Sequence, residues 1–426
     1  MKTLKSIILG ALVVSLSAFS VYAQSDRQID NLRNQDKSGL NVFEPAKVSD
    51  LTFDGLYVRV GGANTLQFQG ISHENANDDL PELVNNFNLA TSNLDIDVVL
   101  AKGLVMHLRT YLSSQHHAEA WVKGGFIQID NLDFVQEGFL SGLMENVRIR
   151  VGHMENNYGD THFRRSDNGQ ALFNPFVGNY LMDSFTTEVG AEVYYFADDF
   201  FGMIGLTNGK LNQSTVKPAI DEKINLLLKA GYDSQVNEDL RVRLSASLYN
   251  SAESGSQYLY TGDRAGSRYY NVLDDDFRSG RFSPNFVVSR FAPGGPIGGE
   301  MTSIMVNPFV KFQGIEFFGV YEMSSGKTAV ESDTRSFNHI GAELLYRFGD
   351  NNDVYVGTRY NTVSGEIAAG TDISVNRFNI GGGWFLTPNV LTKVEYVVQN
   401  WNDYPTGSKY DGASFSGINI EAVVSF

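Results

Sequence analysis

The sequence predicts an all-β fold: a transmembrane, antiparallel, up-and-down β-barrel of about 16 strands. Three observations carry this. From Asp54 onward, segments of roughly ten residues alternate apolar and polar side chains, the period of a strand with two unlike faces. Short turns and long polar loops take it in turn between those segments. Beyond the first two dozen residues, no apolar run approaches the ~18 residues of a membrane helix.

The elements follow in order. The opening stretch MKTLKSIILGALVVSLSAFSVYAQ sets Lys2 and Lys5 before an apolar run and Val21-Tyr22-Ala23, so residues 1–23 read as a signal peptide of an exported protein. Residues 24–53 are a polar N-terminal segment with few apolar anchors, among them Ile29 and Leu32. This fits a periplasmic leader, a plug or a short linking helix. The barrel is expected over 54–426, with strands near 56–70, 89–101, 104–113, 119–130, 146–156, 186–197, 200–208, 223–233, 239–250, 302–312, 315–324, 336–348, 353–362, 374–386, 390–400 and 415–426. In LRVRLSASLY, the apolar Leu240, Val242, Leu244, Ala246 and Leu248 oppose Arg241, Arg243, Ser245 and Ser247. In GINIEAVVSF, Ile418, Ile420, Ala422, Val424 and Phe426 oppose Asn419, Glu421 and Ser425. The long loops fall at 71–88, 156–185, 209–222, 251–301, 325–335, 363–373 and 401–414; the connection 131–145 is overlong for the short set.

Composition narrows the class further. There is no cysteine, so disulfides do not hold this exported chain together. The net charge of −16, or −18 once Lys2 and Lys5 are removed, excludes nucleic-acid binding over the whole surface. A soluble sandwich or propeller fits less well. The polar faces are heavily charged, no blade-length repeat is present, and aromatics cluster at segment ends as interfacial girdles do: Tyr194-Tyr195-Phe196, Phe200-Phe201, Phe317-Phe318, Trp384-Phe385 and Trp401. In hydrocarbon every backbone polar group must be paired within the protein, so the last strand must close on the first, GLYVRVGGANTLQFQG.

The terminal strand ending in Phe426 resembles the C-terminal signal by which the insertion machinery of Gram-negative outer membranes recognises its clients. The sixteen-segment layout resembles general diffusion porins. The run VRIRVGHMENNYG, with Arg148, Arg150 and Gly152, is similar to the phosphate-selective porin O/P group and its Bacteroidetes relatives. The resemblance implies a homotrimer in the outer membrane, in contact with the lipid bilayer and passing small hydrophilic solutes. It also implies that the third outer loop, 156–185, folds inward as a constriction carrying Asp160, His162, Arg164, Arg165 and Asp167. No dense lysine ladder accompanies the motif, so phosphate as substrate is not carried over.

Alternation assigns the lumen-facing charges. The basic ones are Arg59, Arg109, Arg148, Arg150, Lys223, Lys229, Arg241, Arg243, Arg347, Arg359, Arg377 and Lys393; the acidic ones are Asp95, Asp97, Glu192, Glu343, Glu395 and Glu421. Twelve against six predicts a basic wall and a weak preference for anions, unless the arginines are consumed by pairing with the acids. Other constellations are thin. His116, His117 and Glu119 lack the partners of a metal site, and GGPIGG at 294–299 lacks the flanking strand and helix of a phosphate cradle. Asp274-Asp275-Asp276 offers at most a loop calcium site. No serine or aspartate stands in a legible triad with a histidine, so no catalytic residue, cofactor or metal is assigned. The rival readings are an outer-membrane hydrolase and a structural barrel plugged by a partner docking on 251–301.

Overall fold

The computed structural model describes residues 28–114, 120–209, 215, 220, 222–255, 257–261, 268–274, 280–287 and 297–426. The signal-peptide stretch, the trio His116, His117 and Glu119, and Asp275 and Asp276 lie outside the described residues. Sixteen strands form the fold: β1 (Tyr57–Glu74), β2 (Asn86–Ala101), β3 (Leu104–Ser113), β4 (Trp121–Ile129), β5 (Val147–Glu155), β6 (Thr187–Ala197), β7 (Phe200–Thr207), β8 (Asn225–Gln235), β9 (Leu240–Ser254), β10 (Gly299–Phe312), β11 (Ile315–Thr328), β12 (Arg335–Phe348), β13 (Val354–Ala368), β14 (Thr371–Thr387), β15 (Val390–Asn402) and β16 (Ser414–Ser425). Each pairs antiparallel with its chain neighbours, and β16 returns to β1 in register from Ala63↔Ser425 to Glu74↔Ser414, so the sheet is a closed barrel. Closure leaves no strand edge unpaired, as hydrocarbon requires.

Alternation sorts the two faces as the sequence predicts. On β16, Ile418, Ile420, Val424 and Phe426 are about half exposed, while Asn419, Glu421 and Ser425 are sealed inside. On β12, Ile340, Leu344 and Tyr346 face out and His339, Glu343 and Arg347 face in. The same rule corrects the girdle. Neighbouring aromatics cannot share a face, so Tyr195, Phe200, Phe317 and Trp384 are exposed, whereas Tyr194, Phe201, Phe318, Phe385 and Trp401 point into the barrel.

Strands run on past the apolar band, so one loop expected to be long is a tight turn and that at 325–335 shrinks to 329–334. The loop expected at 363–373 is a two-residue turn between Ala368 and Thr371, with Gly370 at φ +74°. Residues such as Ser364, Glu366 and Asp372 offer no apolar face, yet their backbones continue to pair. The overlong connection 130–146 folds on itself at the short-turn end and holds a single helical turn, α1 (Ser141–Met144).

The interior is filled well beyond the inward third loop that the resemblance implies. The segment before β1, the β5–β6 loop and the described part of the β9–β10 loop pack inside, building an aromatic core with the walls that includes Tyr158, Tyr180, Tyr249, Phe282 and Phe337.

Candidate functional site in the charged lumen

The β5–β6 loop crosses the lumen because the walls supply partners for its backbone and short polar side chains. The Asp160 N–H donates to Asn307 Oδ1 on β10 at 2.8 Å, the Leu181 N–H to Asn361 Oδ1 on β13 at 2.8 Å, and the Val177 N–H to Glu395 Oε2 on β15 at 3.0 Å. On β1 and β2, Thr65 Oγ1 donates to the Gly169 carbonyl at 2.7 Å and Asn93 Nδ2 to the Asp167 carbonyl at 3.0 Å. Buried backbone groups must be paired, and these contacts pair them. Gly169 is required there: a Cβ would come within 2.5 Å of the Ala63 carbonyl oxygen and 2.8 Å of the Asn93 nitrogen.

The segment before β1 enters from the short-turn end. Phe43 packs edge-on against Phe309 at 5.3 Å and beneath the Arg243 guanidinium at 4.4 Å. Arg148 donates to the Pro45 carbonyl at 2.7 Å and Arg241 to the Asn41 carbonyl at 3.0 Å. Glu44 joins the wall in a four-membered cluster. It meets Lys229 at 2.8 Å and Arg243 at 2.6 Å, and both cations also meet Asp160 at 2.8 Å. Burial by itself raises a carboxyl pKa. Here Arg243 and Lys229 overcome it and hold Glu44 down at about 2, and the same pair holds Asp160 far below the usual carboxylate range.

Most of the expected lining charges face inward but are sealed in pairs. Arg148 meets Asp130 at 2.9 Å, Arg241 meets Asp233 at 2.7 Å, Arg347 meets Glu316 at 2.7 Å, and Arg359 meets Glu343 at 2.7 Å. Arg164 is bonded to Glu343 and Asn41. Glu421 is paired with Lys393 at 2.6 Å and Arg268 at 3.4 Å. Arg377 donates to Gln399 at 2.6 Å and to loop carbonyls at Asn179 and Gly280. The wall is therefore largely neutralised. Beyond the expected acids it carries Glu188, Glu316 and Glu322, and the inserted elements add Glu44, Asp160, Asp167 and Asp183. Lys223 stands exposed outside the packed lumen, paired with Glu253 at 3.1 Å.

A cavity of about 170 Å³ lies against the walls of β1 to β5. Of the expected constriction residues, His162, Arg165 and Asp167 border it, while Asp160 and Arg164 do not; of the expected lining residues, Arg109 and Arg150 border it. Arg59, Asp97, His107, Glu155 and Arg33 complete its charged lining. Arg109 is fixed by Asp95 through two bonds of 2.7 Å, Arg59 by Asp97 at 2.8 Å, and Arg165 by Asp183 at 2.6 Å. His107 bridges to Asp97 at 2.6 Å and His162 to Glu155 at 2.9 Å. Burial would raise the Asp167 carboxyl, but Lys123, Arg109 and Arg165 around it hold it below the usual range.

Two arginines of this cavity have no carboxylate partner among the described residues. Arg150 donates to Gln128 at 2.8 Å and lies over the Phe126 and Tyr194 rings. Arg33 stacks 3.6 Å from the Phe173 ring centre and donates to the Gly39 and Phe163 carbonyls at 2.8 and 3.0 Å. Its second terminal nitrogen is buried without a hydrogen-bond partner. Burial lowers the Arg33 guanidinium to about 9 against the opposing pull of Glu155, which leaves it cationic at neutral pH. Sequence reasoning missed Arg33, Asn41 and Glu44. The available signal was Phe43, a large aromatic in a leader with few apolar anchors.

No protein-family model matches the chain, and no curated protein matches it. Solved structures do. An anion-selective porin from Comamonas acidovorans is 11% identical, with 87% of this chain and 100% of that chain covered, at a TM-score of 0.55. OmpT, an outer membrane protein of Vibrio cholerae, is 11% identical over 88% of this chain and 100% of its own, at 0.53, and its trimer form aligns equally well. At this identity the likeness is one of fold: the barrel is porin-like.

Proposed function

We propose that this chain is an outer-membrane channel that lets small hydrophilic solutes diffuse along the β1–β5 wall. The short turns face the periplasm, the long loops face outward, and three copies associate. The observation that carries the reading is the pairing of an apolar exterior with a charged interior that keeps an ion-lined cavity. The cavity is smaller than the ~300 Å³ at which sites for drug-sized ligands begin, so the solutes are ion- or monomer-sized. Five arginines against three carboxylates on its lining support a preference for anions, centred on Arg33 and Arg150 rather than on the sealed wall arginines.

The filled lumen favours a second reading, a barrel its own inserted segments keep shut. Purified protein in planar bilayers separates the two. Discrete conductance steps, with a reversal potential of anion sign in a salt gradient, support the channel; silent membranes with correctly inserted barrels support the closed one. Cation preference unaltered by Arg33→Gln and Arg150→Gln refutes the anion assignment.

A further inference from the structure

The connection between β4 and β5 exposes five large apolar side chains within ten residues: Phe134, Val135, Phe139, Leu140 and Leu143, each more than two-fifths exposed. Scattered apolar exposure is ordinary, but five such side chains on one short connection mark a contact surface. It is not a frayed strand. Asp133 Oδ1 accepts from the Gly138 N–H at 2.9 Å, Val135 and Phe139 close turns onto Leu132 and Gln136 at 2.9 Å, and Met144 is buried beneath them. Leu140 sits at φ 51°, a left-handed conformation that costs a branched side chain energy and that glycine would adopt freely. An ordered turn thus holds a leucine in a strained conformation with its side chain outward.

We propose that residues 131–146 form a membrane foot, and that these five side chains insert among the acyl chains of the periplasmic leaflet beside the barrel. This rests on the outer-membrane reading above. Lipid is the occupant because the patch continues the lipid-facing belt. The Phe196 N–H donates to the Asn146 carbonyl at 2.8 Å, setting the foot's end beside the exposed aromatics Tyr195 and Phe200. Ile127 on β4 and Val151 on β5 extend the same outward surface. A Cβ added at Gly138 or Gly142 would meet nothing within 4 Å, so the turn is open at both positions. Its own charges are the three acids Asp133, Glu137 and Glu145, and the neighbouring Lys102 is paired with Asp133 at 3.4 Å, so the apolar side chains rather than attraction to anionic headgroups carry the insertion.

The chain contains no cysteine, so single-cysteine probes of the full-length protein are clean. Leu140→Cys and Phe139→Cys would each carry an environment-sensitive fluorophore, with Ile340→Cys as the belt control and Thr406→Cys as the exposed-loop control. In phosphatidylcholine liposomes containing doxyl-labelled lipid, the proposal predicts at least a twofold loss of emission at 139 and 140, comparable to 340, and little quenching by aqueous iodide. Behaviour at 139 and 140 like that at 406, with iodide but not doxyl quenching, overturns it. A blue-shifted signal that neither quencher reaches also overturns it, since protein then covers the foot. Loss of doxyl quenching at 340 as well would strike the membrane-barrel reading, and the foot with it.

Discussion

Replacing Glu44 with glutamine tests whether the leading segment is locked into the lumen by charge. The substitution keeps the side chain's size and removes its part in ion pairs of 2.8 Å to Lys229 and 2.6 Å to Arg243. Both cations stay buried, with Asp160 now shared between them and Asp233 reaching only Arg243, at 3.0 Å. Removing one partner of a buried ion pair costs about 3–5 kcal/mol, because the charge left behind is not rehydrated. At 1.4 kcal/mol per tenfold, the docked state of residues 28–53 weakens by roughly two to three and a half orders of magnitude. Phe43 and the carbonyl contacts of Arg148 and Arg241 still hold the segment, so it becomes intermittently displaced rather than permanently released. Leu32, Arg33, Gln35, Phe43 and Pro45 form one side of the 170 Å³ cavity, so displacement widens the passage. Single-channel recordings of Glu44→Gln are expected to show a higher-conductance state absent from the parent, and protease added to the periplasmic side should cut the segment faster. Unchanged conductance and unchanged protection, in both Glu44→Gln and Arg243→Ala, would refute the lock.

Acid should imitate that variant. The Glu44 carboxyl titrates lower in the folded protein than its ordinary 4.5, so its stabilisation is complete above that value and is lost as pH falls toward about 2; the higher-conductance state should emerge in that window in the parent and depend less on pH in Glu44→Gln. Neutralising Arg33 and Arg150 together is expected to move the reversal potential toward cation preference, whereas Arg359→Gln, whose charge is sealed against Glu343, should affect stability more than selectivity. Gly169→Ala forces a Cβ against the Ala63 carbonyl oxygen and should cost about 1–3 kcal/mol, read as a lower midpoint in urea-driven unfolding from bilayers. Ile340→Arg on the outer face should cost roughly 2–4 kcal/mol if the site lies at the bilayer midplane, and should cut the folded yield in liposomes.

The barrel was legible because its information is local. A period of two along each strand states which face is which, and the closure of β16 on β1 follows from the need to pair every backbone group. What period two cannot state is what lies against the polar face. Arg347 and Arg359 read as pore lining because each opposes apolar neighbours, and Arg164 as a constriction residue through the resemblance; that they are spent on Glu343 and Glu316 depends on carboxylates from other strands and on cover from the inserted loop. Strand ends were misjudged for a related reason. The apolar signal stops at the edge of the hydrocarbon, but backbone pairing in β13 and β14 continues to Ala368 and Thr371. The leading segment was least legible. Glu44 and Arg33 carry no periodic signal, and their role arises from contacts with residues more than a hundred positions away, such as Arg243 and Phe163.

The most direct measurement is swelling of proteoliposomes in a graded series of uncharged and anionic solutes. The account predicts entry of solutes the size of glycine or acetate, slower entry of hexoses, exclusion of disaccharides, and a higher size limit for Glu44→Gln. Free entry of disaccharides would contradict a lumen packed by its own loops, and no swelling with even the smallest solute would contradict a channel.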